Sequence, residues 1–305
     1  MGENVIEVRS LRKSYGALEA VRGIDLAVRE GEVFALLGPN GAGKTTTVEI
    51  LEGFRPRDAG EVRVLGHDPA DGSVALRAQI GIVLQSTGVD AYLTVRETID
   101  WFAANYPSRL PTDEVIELVE LTEKRGARVN SLSGGQKRRL DVAIALAGDP
   151  RLLFLDEPTT GFDPGARRNA WQVIRNLQTL GKTILLTTHY MDEAQELADR
   201  VAVISAGRIV AEGTPDTLGG REQAATRIRF RLPAGAPPLP GELGAATDAP
   251  DELTELHTDD PVRTLHRLTG WALDNGVELR GIEVVRPSLE DVYLELTGPG
   301  EEVPV

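Results

Sequence analysis

Short apolar runs alternate with amphipathic stretches from the N-terminus to about residue 220. The runs at 33–37, 80–84, 152–155, 183–187 and 201–204 are four or five residues of mainly β-branched and leucine character. Continuous runs of that length suit strands covered on both faces, as in a parallel sheet. Helix-length segments lie between them at 44–51, 95–105, 112–121, 135–147 and 166–180. The alternation predicts a mostly parallel α/β core. Three further segments, 6–10, 24–28 and 62–64, predict an antiparallel β subdomain, and the region between Val95 and Asn130 a helical one.

The pattern then breaks. Pro233, Pro237, Pro238, Pro240 and Pro250 fall among glycine and alanine, and residues 221–250 read as a linker with a Pro-rich loop. Beyond it, strands are predicted at 253–256 and 277–285 and helices at 261–275 and 288–296. Leu289, Val292, Tyr293 and Leu296 recur at helical spacing, an apolar stripe for packing. The expected organisation is a large domain over 4–220, the linker, and a small α/β accessory domain over 251–298.

Composition narrows the function. The chain has 305 residues, 41% hydrophobic and 26% charged, with a formal net charge of −14 and no cysteine. A surface so acidic argues against nucleic acid as a partner and against broad adhesion to anionic lipid. The absence of cysteine excludes a disulfide framework and thiolate metal sites. No run reaches the roughly 18–20 apolar residues that span a bilayer, and Met1–Ser10 lacks the basic and apolar segments of a secretion signal. The expected location is cytoplasmic, with any membrane contact made through a protein partner.

Three motifs carry chemistry. Gly38-Pro39-Asn40-Gly41-Ala42-Gly43-Lys44-Thr45 fits the phosphate-loop (Walker A) pattern, with a strand before it and a helix after it. The glycines let backbone N–H groups turn toward phosphate oxygens, and the helix N-terminus, with Thr46 in its first turn, adds its dipole. Lys44 is positioned to neutralise β- and γ-phosphate charge, and Thr45 to ligate Mg²⁺. Second, residues 152–155 end in Asp156-Glu157. Standing alone, such a strand is an ordinary one with a solvated acidic turn. Following a phosphate loop, it places Asp156 toward Mg²⁺ and Glu157 toward the attacking water. Third, Leu132-Ser133-Gly134-Gly135-Gln136 precedes a helix whose first turn holds Lys137, Arg138 and Arg139. Ser133 caps it, and the exposed N–H groups of the glycines make a second anion site.

Together these motifs resemble the nucleotide-binding domain of ABC ATPases over roughly residues 4–220. The resemblance implies that Tyr15, in Lys13-Ser14-Tyr15-Gly16, stacks on adenine. It implies that Gln85, at the end of the strand at 80–84, touches Mg²⁺ and water, and that His189, in Thr187-Thr188-His189, holds the γ-phosphate. Asp163, in Thr160-Gly161-Phe162-Asp163-Pro164, resembles the aspartate of the loop that meets the opposing subunit. Phe162 stands where leucine is more usual, so local repacking is expected there. The resemblance also implies that Ser133, Gly135 and Gln136 complete the ATP site of a partner subunit. Two copies, or one copy and a sibling, then close head to tail around two ATPs.

The segment Thr188–Ala194, the short helical region and the ending Arg286–Tyr293 are similar to the ATP-binding subunits of daunorubicin-resistance-type multidrug and antibiotic exporters. That group implies a separate membrane permease and docking on the inner face of the membrane. An importer subunit is the main alternative. A soluble ABC ATPase acting on ribosomes or DNA needs paired domains, coiled coils or zinc cysteines that are absent here. A kinase or GTPase leaves the 132–136 segment unexplained.

Overall fold

The first two strands are long and alternate in exposure. β1 (Asn4–Tyr15) and β2 (Leu18–Arg29) form an antiparallel hairpin, turned at Gly16 with φ 60°. β3 (Val33–Leu37) is buried at every position, as its unbroken apolar run predicts, and leads through the phosphate loop into α1 (Lys44–Leu51). β4 (Ala59–Val64) returns to pair with β1, giving a three-stranded antiparallel sheet in the order β2-β1-β4. The structure is a computed structural model whose described residues are 3–83, 88–220, 225–243, 253–285 and 288–297.

After a short α2 (Val74–Arg77) comes β5 (Ile80–Val83). A helical region follows: α3 (Val95–Ala103), α4 (Thr112–Leu118) and α5 (Gly134–Leu146). Thr94 and Ser133 open α3 and α5 with reciprocal caps, since Glu97 and Gln136 return the bond from the third helical position. The chain then alternates through β6 (Leu152–Asp156), α6 (Pro164–Thr179), β7 (Thr183–Thr188), α7 (Met191–Leu197), β8 (Arg200–Ser205) and β9 (Arg208–Gly213). The central sheet has the order β5-β6-β7-β3-β8-β9, parallel except for the antiparallel edge strand β9. A continuous core joins Phe34, Leu36, Phe154 and Leu185 of this sheet to Ile6, Leu11 and Ile24 of the antiparallel one.

The chain divides into two compact units, the first ending at Pro215 and the second running from Asp216 to Gly300. The second is built on an antiparallel sheet of β10 (Thr226–Arg231), β11 (Leu253–Thr258) and β12 (Arg280–Val285), in the order β11-β10-β12. α8 (Pro261–Asp274) contributes Leu268 to a small core with Ile228, Phe230, Leu243 and Leu256, and α9 (Leu289–Thr297) ends the unit.

β10 corrects the linker reading of residues 221–250, because it is the central strand of the second sheet. Its sequence Thr226-Arg227-Ile228-Arg229-Phe230-Arg231 alternates with period two, burying Ile228 and Phe230. In the structure Arg229 pairs with Glu255 at 2.7 Å and Arg227 with Asp291, so the polar face is partnered. β12 begins at Arg280 rather than Val277, after a turn at Gly276 with φ 64°. In α9, Leu289, Val292 and Tyr293 are buried as their spacing predicts, while the Leu296 side chain lies outside the described residues.

Candidate functional site

Strand order builds the site before any side chain is considered. β7 lies between β6 and β3, with Asp156 in register with Thr187 and Leu37 with Thr188. Three loops therefore leave the sheet side by side: the phosphate loop after Leu37, the acidic pair 156–157, and Thr188-His189-Tyr190. The carboxyl ends of parallel strands are where α/β sheets hold ligands. The Gly38 N–H donates to the Thr188 carbonyl at 3.2 Å, tying the first of these loops to the third.

The loop 38–43 is tight as well as permissive. A Cβ on Gly38 would sit 2.3 Å from the Ile204 carbonyl oxygen, and one on Gly43 would sit 2.5 Å from that of Ala20. Gly43, at φ 105°, and Gly41, at φ 79°, hold left-handed conformations that side chains disfavour. Pro39, Asn40, Gly41 and Thr45 remain exposed, whereas Ala42 and Lys44 are buried. The Lys44 ammonium is 4% exposed and donates to the carbonyls of Gly38 at 2.9 Å and Pro39 at 3.1 Å. Burial pulls its pKa below the usual lysine value, against the opposing pull of the Glu157 and Asp156 carboxylates.

Glu157 is the hub. Its Oε1 lies 3.4 Å from Lys44 Nζ and 3.3 Å from His189 Nδ1. Its φ of 45° is left-handed, a conformation that costs roughly 1–2 kcal/mol outside glycine and is held here by surrounding bonds. The Glu157 N–H donates to the Thr187 hydroxyl at 3.0 Å, and the Thr160 hydroxyl donates to Oε2 at 3.0 Å. Burial alone raises its pKa, but the Lys44 charge, the Thr160 hydroxyl and His189 together outweigh burial and hold it below the usual glutamate value. Glu157 is thus an ionised, nearly enclosed carboxylate facing a cation. His189 Nδ1 is buried with no hydrogen-bond partner, despite its closeness to Glu157. That orphaned nitrogen is a group an entering phosphate would satisfy, and the Lys44 ammonium faces the same Glu157 oxygen.

Several supporting residues carry no sequence signal of their own. The Thr187 hydroxyl donates to Asp156 Oδ1. Arg138 turns inward, donating to the carbonyls of Asp156 at 2.9 Å and Pro158 at 3.2 Å, and so fixes the end of β6. The sequence reading grouped it with exposed Lys137 as part of a basic helix start. Only burial separates the two.

The remaining predicted residues are not all gathered here. Tyr15 is 39% exposed, with the Arg55 guanidinium 5.2 Å and Lys13 Nζ 5.7 Å from its ring centroid. Ser133 accepts from the Gln136 N–H at 3.3 Å, and Gln136 Oε1 accepts from the Ser133 N–H at 3.0 Å. Ser133, Gly135 and Gln136 line a cavity of about 980 Å³ together with Glu157, Thr160 and Asp163, whereas the phosphate loop does not line it. Asp163 caps α6, accepting from Gly165 at 2.8 Å and Ala166 at 2.9 Å. Gln85 and Thr46 divide: Thr46 sits half-buried in the first turn of α1, while Gln85 lies outside the described residues. Among the described residues no three His, Cys, Asp or Glu side chains converge to hold a metal. A divalent ion here would rely on Thr45, Asp156 and phosphate oxygens, the usual habit of Mg²⁺.

Residues 21–160 match the ABC transporter family, and residues 226–288 match the family described as ABC transporter domain-containing protein-like, C-terminal domain. The chain is 38% identical to Daunorubicin resistance ATP-binding protein DrrA3 of Streptomyces coeruleorubidus, with 99% of each chain covered. This chain belongs to the ABC transporter ATP-binding proteins. Within that family it is also 41% identical to Nod factor export ATP-binding protein I of Paraburkholderia xenovorans (strain LB400), with 98% of each chain covered. The ATP-binding cassette MJ0796, solved as a dimer in a post-hydrolysis state bound to ADP and Pi, aligns with a TM-score of 0.61 at 25% identity. That alignment covers 68% of this chain and 98% of MJ0796. The ABC resemblance drawn from the three motifs therefore holds, and the chain is a nucleotide-binding, transport-coupled ATPase homologous to exporter ATPases. No helix among the described residues is long and apolar enough to cross a membrane.

Proposed function

We propose that this chain powers export of a drug, antibiotic or lipid-like substrate through a separate membrane permease, docked on the inner face of the membrane. The observation that carries the hydrolytic reading is the convergence of Lys44 and His189 on one oxygen of Glu157, at 3.4 and 3.3 Å. Thr45, Asp156 and Gln85 would hold a Mg²⁺ ion arriving with the nucleotide, and the ion would supply charge neutralisation at the phosphates. Lys44 exchanges its Glu157 contact for phosphate oxygens, and the orphaned His189 nitrogen meets the terminal phosphate. Glu157, ionised and freed of Lys44, orients a water and accepts its proton. Tyr15 receives the adenine ring.

Ser133, Gly135 and Gln136 complete the site of a second copy, with Asp163 beside that interface. The exposure of Ser133, and the separation of all three from the phosphate loop within one chain, support a head-to-tail dimer. The dimeric cassette MJ0796 supports the same arrangement by likeness. Export is favoured over import by the two relatives, whose names are those of a daunorubicin-resistance and a Nod-factor-export protein.

The test is affinity capture of the Glu157→Gln protein with ATP from detergent-solubilised native cells, followed by mass spectrometry. A polytopic membrane protein in near-equal amount, with no extracytoplasmic binding protein, is expected. A binding protein in the complex would turn the reading to import. Ribosomal or DNA-repair proteins in place of a permease would overturn the transport assignment.

A further inference from the structure

One buried carboxylate is left over once the hydrolytic residues are assigned. Glu193, in the first turn of α7, is 0% exposed. Its Oε1 accepts from the Thr159 hydroxyl at 2.7 Å and from the Trp171 indole N–H at 3.1 Å. Its Oε2 has no hydrogen-bond partner. Burial raises its pKa against the hydroxyls of Thr188 and Thr159, the Trp171 indole and the Arg167 charge. An apolar residue of similar volume at such a position is often neutral or stabilising, so stability alone does not explain a glutamate.

Its position joins two sides of the reaction: α7 follows the His189 turn, while its two donors come from the loop after Glu157 and from α6. Thr188 precedes His189, and its hydroxyl accepts from the Tyr190 N–H at 3.0 Å, shaping the turn that holds the histidine. Thr159 lies two residues after Glu157, and its carbonyl accepts from the Phe162 N–H at 3.1 Å, shaping the turn that leads to Asp163. Trp171 stands on α6, the helix that Asp163 caps. Arg167 makes a parallel link, with its guanidinium 4.2 Å from the Tyr190 ring centroid and 3.0 Å from Asp192. The start of α7 is thus bolted to α6 and to the loop after Glu157 at two levels.

We infer that Glu193 is a positioning residue that locks the His189 turn to the Asp163 loop, so that the phosphate-facing and partner-facing edges of the site move as one body. This rests on the dimer reading above. Loss of phosphate at His189 is then transmitted through Glu193 to the loop at the subunit interface. The carboxyl matters because one oxygen receives two donors from different elements at fixed angles, which no apolar side chain can do.

The experiment measures steady-state hydrolysis, ATP binding and thermal stability for Glu193→Ala, Glu193→Gln, Thr159→Val and Trp171→Phe. ATP-driven dimerisation is measured by light scattering with each change added to Glu157→Gln. Glu193→Ala is expected to lower kcat about 3–30-fold with KM for ATP little changed, and to reduce the dimer fraction. Glu193→Gln, which keeps the accepting oxygen, is expected to recover most of kcat. Thr159→Val and Trp171→Phe are expected to give smaller losses that are less than additive with Glu193→Ala. Should Glu193→Ala fail to fold, the Thr159 and Trp171 variants decide the matter alone. A lower Tm with unchanged kcat and dimerisation would reduce Glu193 to packing and overturn the inference. Failure of Glu157→Gln itself to dimerise with ATP would instead overturn the dimer reading.

Discussion

The two units place their charges in opposite ways. In the first, Lys44, Arg138, Glu157 and Glu193 are buried or nearly so, crowded at the carboxyl ends of β3, β6 and β7. In the second, the core is a handful of apolar residues, and Arg227, Arg229, Glu255 and Asp291 pair on a partly exposed face. Buried charge is expensive unless it is partnered, while exposed pairs contribute little. The first unit therefore keeps its charges at a stability cost that only a ligand or a reaction explains. The second uses charge to finish a small sheet.

Glu157→Gln sharpens that contrast most. It is expected to slow phosphate release by about 10²–10⁴-fold while ATP binding persists, since it removes the proton acceptor and leaves the phosphate cradle intact. Retained turnover would move the catalytic role elsewhere. Next, Lys44→Ala is expected to weaken ATP binding by about 30-fold or more, the range for truncating one partner of a buried charge pair. Isothermal titration with ATP checks it, and unaltered affinity would break the assignment of the phosphate loop.

A third prediction concerns Glu52, at the C-terminal end of α1, which is buried and whose pKa is pushed up to about 8 by burial first and then by the Asp156 and Glu49 charges. The folded state therefore binds this proton more tightly than the unfolded chain does. Its contribution to stability is full below the unfolded value near 4.5 and is lost as pH rises through about 8. Without nucleotide, Glu52→Gln is expected to raise Tm by roughly 3–6 °C more at pH 9 than at pH 5, near the unfolded value. Calorimetry at the two pH values checks the sign, and a stabilisation that is equal at both would refute it. The smallest effect belongs to the second unit. Arg229→Ala is expected to cost about 1 kcal/mol or less, with hydrolysis unchanged, as for a partly exposed ion pair. A large loss of hydrolysis would break the contrast by making that face part of the working site.

The phosphate loop, the Asp156-Glu157 strand end and the Ser133 segment were legible in the sequence because each couples a special backbone to a special side chain. Glycines at tight positive-φ turns and carboxylates at the tip of an apolar strand are local patterns. Strand periodicity located β3, β5, β6, β7 and β8 for the same reason, since unbroken apolar runs have few other uses. β10 is hidden in the sequence by the prolines from Pro233 onward, which make the segment around it read as a linker, and α7 is hidden because seven mostly polar residues make too short a helix to announce itself. Gln85 lies outside the described residues, and its role rests on the resemblance.

Sequence alone therefore determined which residues could cradle phosphate and where the parallel strands of the central sheet run, since both depend on neighbours along the chain. Only tertiary structure decided which of three adjacent basic residues turns inward, that Lys44 and His189 meet on one oxygen of Glu157, and that Glu193 is shared by Thr159 and Trp171. Those outcomes depend on β7 lying between β6 and β3, a pairing set by packing between segments up to about 150 residues apart. Distance in sequence carries no record of it.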